Sequence, residues 1–119
     1  MSTTLVFGAS LNPTRYSNIA IHRLVQKNIP TKAFGIAPGI ISNVRINTNL
    51  GDLENIHTIT LYINDKVQKD YYQSILALKP KRVIFNPGTE NPEFYALLRL
   101  AGVKVEVACT LVLLATNQY

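Results

Sequence analysis

A chain of 119 residues has room for one domain around one core, and at 47% hydrophobic against 16% charged residues it is too apolar for a disordered protein. The formal charge of +5 favours anionic partners. Its twelve Lys and Arg are scattered, apart from Lys79, Lys81 and Arg82, and they do not interleave with aromatics as an RNA-reading sheet requires, so nucleic acid is disfavoured against a phosphorylated small molecule.

Residues 4–7 (TLVF) form a compact apolar run ending at Gly8 and predict a buried first strand. Ile21, Leu24 and Val25 then recur at helical spacing from a start near Ser17, a good N-cap, and Pro30 ends that helix. Residues 32–37 predict a second strand closed by Pro38-Gly39. Residues 44–48 suit a short strand on the sheet edge, and residues 52–55 a single helical turn. Residues 57–63 (HTITLYI) are rich in β-branched side chains and predict the strongest strand in the chain.

That strand stops at Asn64-Asp65, which can cap a helix whose face is marked by Val67, Tyr71, Ile75 and Leu78, with Pro80 beyond its end. Residues 82–85 predict another strand. Asn91 caps a further helix with Pro92 at its first position and Glu93 in its first turn, and Gly102 terminates it. Val103, Val105 and Val107 alternate with Lys104 and Glu106, the pattern of a strand with one wetter face. The final residues either continue that strand or pack across the sheet. Asn117-Gln118-Tyr119 reads either as a frayed end or as part of a homodimer contact.

Strands alternating with helices imply parallel pairing through right-handed crossovers. The expected fold is an α/β, Rossmann-like three-layer sandwich, with a mainly parallel sheet of five or six strands in one domain over residues 1–119. The two most continuously apolar strands, those ending at Gly8 and at Ile63, are expected side by side in the centre. Ligands of such sheets sit beyond the carboxyl ends of the strands, where the strand order reverses.

Two segments would line that crevice: residues 8–17 (GASLNPTRYS) and residues 62–65 (YIND). In the first, Gly8 permits a tight turn at the strand end, and Ser10, Asn12, Thr14 and Ser17 supply neutral donors. The following helix offers unpaired N–H groups with the positive end of its dipole, and Arg15 adds a planar, permanently charged fork. The same residues also compose an ordinary polar turn rich in cap formers. Ser10 and Pro13 replace the second and third glycines of G-x-G-x-x-G, and Ala37-Pro38-Gly39 carries no ribose-binding acid; both count against NAD.

Cys109 is the sole cysteine, which excludes an intramolecular disulfide and fits a reducing compartment. Its apolar neighbours suggest a structural thiol. No basic segment followed by an apolar core opens the chain, and residues 109–115 are too short a run to span a bilayer as a helix. A cytoplasmic protein without a membrane partner is expected. His22 and His57 have no zinc spacing, so no metal is expected.

Residues 6–18 (VFGASLNPTRYSN), 85–91 (FNPGTEN) and 101–114 (AGVKVEVACTLVLL) together resemble the small CoA-binding-domain proteins. These form a Rossmann-like family similar to the nucleotide-binding domain of the succinyl-CoA synthetase α subunit. The resemblance spans essentially the whole chain, and its most specific parts are G-A-S-x-x-x-x-R at residues 8–15 and N-P-G-T-E-N at residues 86–91. It implies that Gly8, Ala9, Ser10, Asn12 and Arg15 surround the diphosphate or 3′-phosphate of coenzyme A. It further implies that Ala37 and Pro38 flank the adenine, and that Ile63 and Asn64 line the groove. At the last pair the chain departs from the family, whose usual V-P-P-type turn is replaced by Tyr62-Ile63-Asn64-Asp65.

The resemblance also places the N-P-G-T-E-N loop by the reactive end of the cofactor. Glu90 there is a candidate general base, although acids at helix starts are common and no second carboxylate or histidine is an evident partner. Three functions compete. The first is a module that binds CoA, an acyl-CoA or a related nucleotide as a sensor, carrier or regulatory subunit of an unknown protein partner. The second is an enzyme of acyl-CoA or nucleotide chemistry using Glu90 or Asn64. The third is an interaction protein with a vestigial pocket. No nucleophile, base and oxyanion site assembles in the sequence, which favours binding over catalysis.

Overall fold

The computed structural model describes residues 2–119. In chain order its strands are β1 (Thr3–Phe7), β2 (Thr31–Phe34), β3 (Gly39–Ile41), β4 (Val44–Asn47), β5 (Ile56–Leu61), β6 (Arg82–Phe85) and β7 (Lys104–Val107). They form one sheet in the order β3-β4-β2-β1-β5-β6-β7. Every neighbouring pair is parallel except β3 with β4. Helix α1 (Tyr16–Gln26) follows β1, α2 (Asp65–Gln68) and α3 (Tyr72–Ala77) follow β5, α4 (Pro92–Leu100) follows β6, and α5 (Thr110–Ala115) follows β7. No described helix is long and apolar enough to cross a membrane.

β1 and β5 are central and adjacent because both are buried on both faces: Leu5, Val6, Phe7, Ile59, Thr60 and Leu61 have no solvent exposure. Their alternating side chains feed two cores. On one face, Leu5, Phe7, Ile59 and Leu61 pack with Val83 and Phe85 beneath Tyr72 and Ile75 of α3 and Phe94 and Leu98 of α4. On the other, Val6, Ala33 and Ile46 pack against Ile21 and Leu24 of α1 and Leu114 of α5. The chain runs outward from β1 through β2 to the β4 and β3 edge, then crosses back to β5 on the other side of β1. The carboxyl ends of β1 and β5 therefore bound the crevice that such a reversal opens.

The structure corrects several sequence expectations. The sheet has seven strands rather than five or six, because residues 39–47 form a β3–β4 hairpin turning at Ser42-Asn43. Both turn residues have positive φ, 49° and 65°, the geometry that hairpin twist favours. β2 ends at Phe34 and not at residue 37, since Gly35 bonds onward to Asn47 and Ile36 is 92% exposed. The helical turn is at Leu50–Asp52, starting two residues earlier, with Asn49 accepting from the Gly51 N–H.

The helix beginning after Asn64 is broken: a tight 3-10 turn at Lys69–Tyr71 separates α2 from α3. Gln68 and Tyr72 are buried there, while Val67, expected on the core face, is 41% exposed. The chain end packs across the sheet as α5 and does not prolong β7. Tyr119 is pinned by its hydroxyl to Thr4 and by its ring under the Arg82 guanidinium, 4.6 Å away. On the edge strand β7, Val107 is exposed, while Glu106 is half-buried by its 3.1 Å ion pair with Arg82.

Candidate functional site

A cleft of about 790 Å³ opens at the carboxyl ends of β1, β2, β5 and β6. Its first lip is the turn after β1. Gly8 takes φ +100°, and a Cβ there would lie 2.9 Å from the Ile63 side chain, so a residue other than glycine would press the β1 and β5 loops apart. The Gly8 and Ala9 N–H groups both donate to the Phe34 carbonyl, at 2.9 and 2.8 Å. The approach of the β2 loop is equally close, since a Cβ on Gly35 would sit 2.6 Å from the Ala9 carbonyl oxygen.

Beyond Ala9 the chain curls through short side-chain turns. Ser10 Oγ accepts from the Asn12 N–H at 3.1 Å, and Asn12 Oδ1 accepts from the N–H and hydroxyl of Thr14 at 3.0 and 2.7 Å. Buried Asn18 ties this curl to α1 by donating to the Ser10 carbonyl at 2.9 Å. The N-cap of α1 is Arg15 and not Ser17, and its side chain makes no capping bond. The N–H groups of Tyr16 and Ser17 consequently have no acceptor among the described residues. The Ser17 hydroxyl, inside the first turn and nearly buried, is likewise without a hydrogen bond, and the exposed Arg15 guanidinium has no acidic partner among the described residues. The cleft thus presents one permanent cation and unspent donors at the positive end of a helix, and no Asp or Glu lines it.

Of the residues singled out from sequence, Gly8, Ala9, Ser10, Asn12, Arg15, Ser17, Ala37, Ile63 and Asn64 all line this cleft, and Thr14, Pro38 and Asp65 do not. Asn64 has its side-chain oxygen engaged in capping α2, accepting from the Val67 N–H at 3.0 Å. Glu90 is exposed and outside the cleft lining, its carboxylate accepting the Gly88 N–H at 2.8 Å. Cys109 is half-buried just before α5. No described group of three or more His, Cys, Asp and Glu is placed to hold a metal.

Sequence reasoning missed the apolar wall. Phe7, Phe34 and Tyr71 line the cleft and pack on one another, with ring centroids 4.8 to 5.7 Å apart, and Leu11, Tyr16, Ile36 and Val67 expose apolar surface around its mouth. The aromatics come from three separate elements, so no local spacing announces them. Tyr62 lines the cleft from the α1–α5 side. Its buried hydroxyl lies close to the Thr60 and Thr110 hydroxyls without meeting either in hydrogen-bond geometry, and burial pushes its phenol up to about 12.

The second lip is the loop after β6, contributing Pro87, Gly88 and Thr89. Buried side chains hold it. Asn86 donates to Thr60 Oγ1 and the Leu61 carbonyl, at 2.7 and 2.8 Å, and accepts from the Thr110 N–H at 2.9 Å. Thr89 Oγ1 donates to the Asn86 carbonyl at 2.7 Å. Asn91 caps α4 through the Phe94 N–H at 3.1 Å.

This geometry has counterparts in known proteins. A family model described as CoA binding domain matches residues 2–115. No functionally curated protein matches the sequence significantly. A crystal structure of an uncharacterized protein is 39% identical with a TM-score of 0.95, the alignment covering all of this chain and 98% of that one. A Thermus thermophilus protein is 22% identical with a TM-score of 0.87, covering 99% and 90% of the two chains. A conserved hypothetical protein from Pyrococcus furiosus is 23% identical with a TM-score of 0.79, covering 89% and 92%. These last two are alike in fold alone. With the family's pattern running through nearly every residue and its fold shared by a full-length relative, the chain belongs to the CoA-binding domain family.

Proposed function

We propose that the protein is a binding module for coenzyme A or an acyl-CoA, acting as a sensor, carrier or regulatory subunit. The observation that carries this reading is the set of unspent donors at the start of α1, the Tyr16 and Ser17 N–H groups, beside Arg15 in a cleft without carboxylates. A diphosphate or 3′-phosphate matches that set in charge and in hydrogen bonding. From α1 a ligand can extend past Gly35 and Ala37 on one side and past Ile63 to the Pro87-Gly88-Thr89 loop on the other. The adenosine belongs on the first path, because nucleotide sites of this architecture place the ribose beyond the second strand. The pantetheine arm then follows the second path along Ile63.

Catalysis has less support. Glu90 is spent on the Gly88 N–H outside the cleft lining, and the Asn64 oxygen is spent on a helix cap. Isothermal calorimetry tests the reading: CoA binds saturably, 3′-dephospho-CoA binds more weakly, and NAD binds more weakly than CoA. Tighter binding of NAD than of CoA reverses the ligand assignment. The isolated protein is expected to hydrolyse acetyl-CoA no faster than background. Turnover abolished by Glu90→Gln, with binding retained, would replace the module with an enzyme.

A further inference from the structure

The geometry points to Gln68 as a positioning residue that sets the width of the channel for the pantetheine arm, a role that rests on the CoA reading above. Gln68 has 0% exposure at the end of α2. Its amide donates one N–H to the Ile63 carbonyl at 2.9 Å and the other to the Thr89 carbonyl at 2.8 Å. Both carbonyls belong to residues lining the cleft, one after β5 and one after β6. Asn91 donates to Gln68 Oε1 at 3.0 Å and to the Tyr72 hydroxyl at 2.8 Å, while its own oxygen accepts from the Phe94 N–H. Two carbonyls on one side and an amide donor on the other allow only one orientation of the Gln68 amide, so the brace is fully specified.

Among the described residues, no other side chain joins the loop at Ile63–Asn64 to that at Pro87–Thr89. Ile63 in turn abuts Gly8, so the brace carries the spacing from the second lip across to the first. The glutamine amide is fully buried among polar partners drawn from two loops and a helix. A buried amide satisfying two loop carbonyls is costly to place unless it orders them, and ordering them fixes the gap between the lips.

The test compares CoA with adenosine 3′,5′-bisphosphate, which lacks the pantetheine arm, on Gln68→Met. This substitution keeps length and volume and removes both donors. CoA affinity is expected to fall about tenfold or more, because binding must then order lips the brace no longer holds, with bisphosphate affinity held within about twofold. Equal losses for both ligands, or unchanged CoA binding, overturn the proposal. Hydrogen exchange on the ligand-free protein separates this from the ligand assignment. Exchange at the amides of residues 86–91 should accelerate in Gln68→Met while β1 and β5 stay protected, and unchanged exchange overturns the brace. Failure of the parent to bind either ligand, with that acceleration present, defeats the CoA reading and leaves the loop-positioning role standing. Should Gln68→Met not fold, Gln68→Glu replaces it. A neutral carboxyl donates one of the two bonds and a carboxylate neither, so CoA binding relative to the parent should recover as pH falls from about 8 to about 5.5. A flat ratio overturns the proposal.

Discussion

Beyond its tie to buried Asn18, the lip after β1 hangs on turn bonds of half-buried Ser10 and exposed Asn12 and Thr14, whereas the lip after β6 is sewn into the core by Asn86, Gln68, Thr89 and Asn91, all buried. The two differ in what their polar groups are free to do. In the β6 lip the side-chain polar groups of Asn86, Gln68, Thr89 and Asn91 are consumed by the protein, so those residues contribute shape. In the β1 lip, Arg15, the Ser17 hydroxyl and the first N–H groups of α1 remain unspent, so that lip contributes affinity for an anion. A binding site built this way separates rigidity from recognition, and substitutions on either side should report different quantities.

The largest expected effect is on stability at the buried lip. Asn86→Ala removes three hydrogen bonds and strands their buried partners, and should cost about 3 kcal/mol in urea unfolding. Asn12→Ala in the exposed lip should cost roughly 0.5 kcal/mol or less, because water replaces the lost turn bonds. Equal costs at the two positions would break the comparison. Next comes recognition. Arg15→Ala should weaken CoA binding by roughly 1.5–3 kcal/mol with no change in melting temperature, and Arg15→Lys should recover only part, since an ammonium cannot present a two-point fork. Parent-like binding by both variants across a salt titration would move the phosphate site away from this lip.

The smallest effects lie at Tyr62, between the two lips. Its folded phenol, pushed up to about 12, stays protonated where the unfolded one ionises near 10. The unfolded state therefore binds fewer protons between these values, and stability falls as pH rises through that window. The loss should be on the order of 2 kcal/mol by pH 12. Tyr62→Phe should flatten that fall. At pH 7 it should leave stability unchanged or raise it by up to about 1 kcal/mol, since it deletes a buried hydroxyl that has no partner. A Tyr62→Phe variant with the parent's alkaline slope would place the titration elsewhere, Tyr119 being the other phenol raised by burial.

Sequence alone determined the elements whose signals lie in neighbouring residues. The apolar run ending at Gly8 and the β-branched run ending near Ile63 marked the two central strands, because a strand buried on both faces must be continuously apolar. Asn64 and Asn91 announced helix starts, because a cap bonds an N–H only three residues away. The polar turn at residues 8–17 was legible for the same reason. Tertiary structure decided what depends on distant partners. The aromatic wall joins Phe7, Phe34 and Tyr71 from three elements, and the β6 lip is held by hydrogen bonds between residues 21 to 26 apart. Gln68 carries no local mark of its role: a glutamine in a short helix reads as solvent-facing until packing buries it and presents it with two carbonyls. A capping residue meets its partner within one turn of its own chain, but a brace meets its partner only after the sheet has assembled, and there the linear sequence stops being informative.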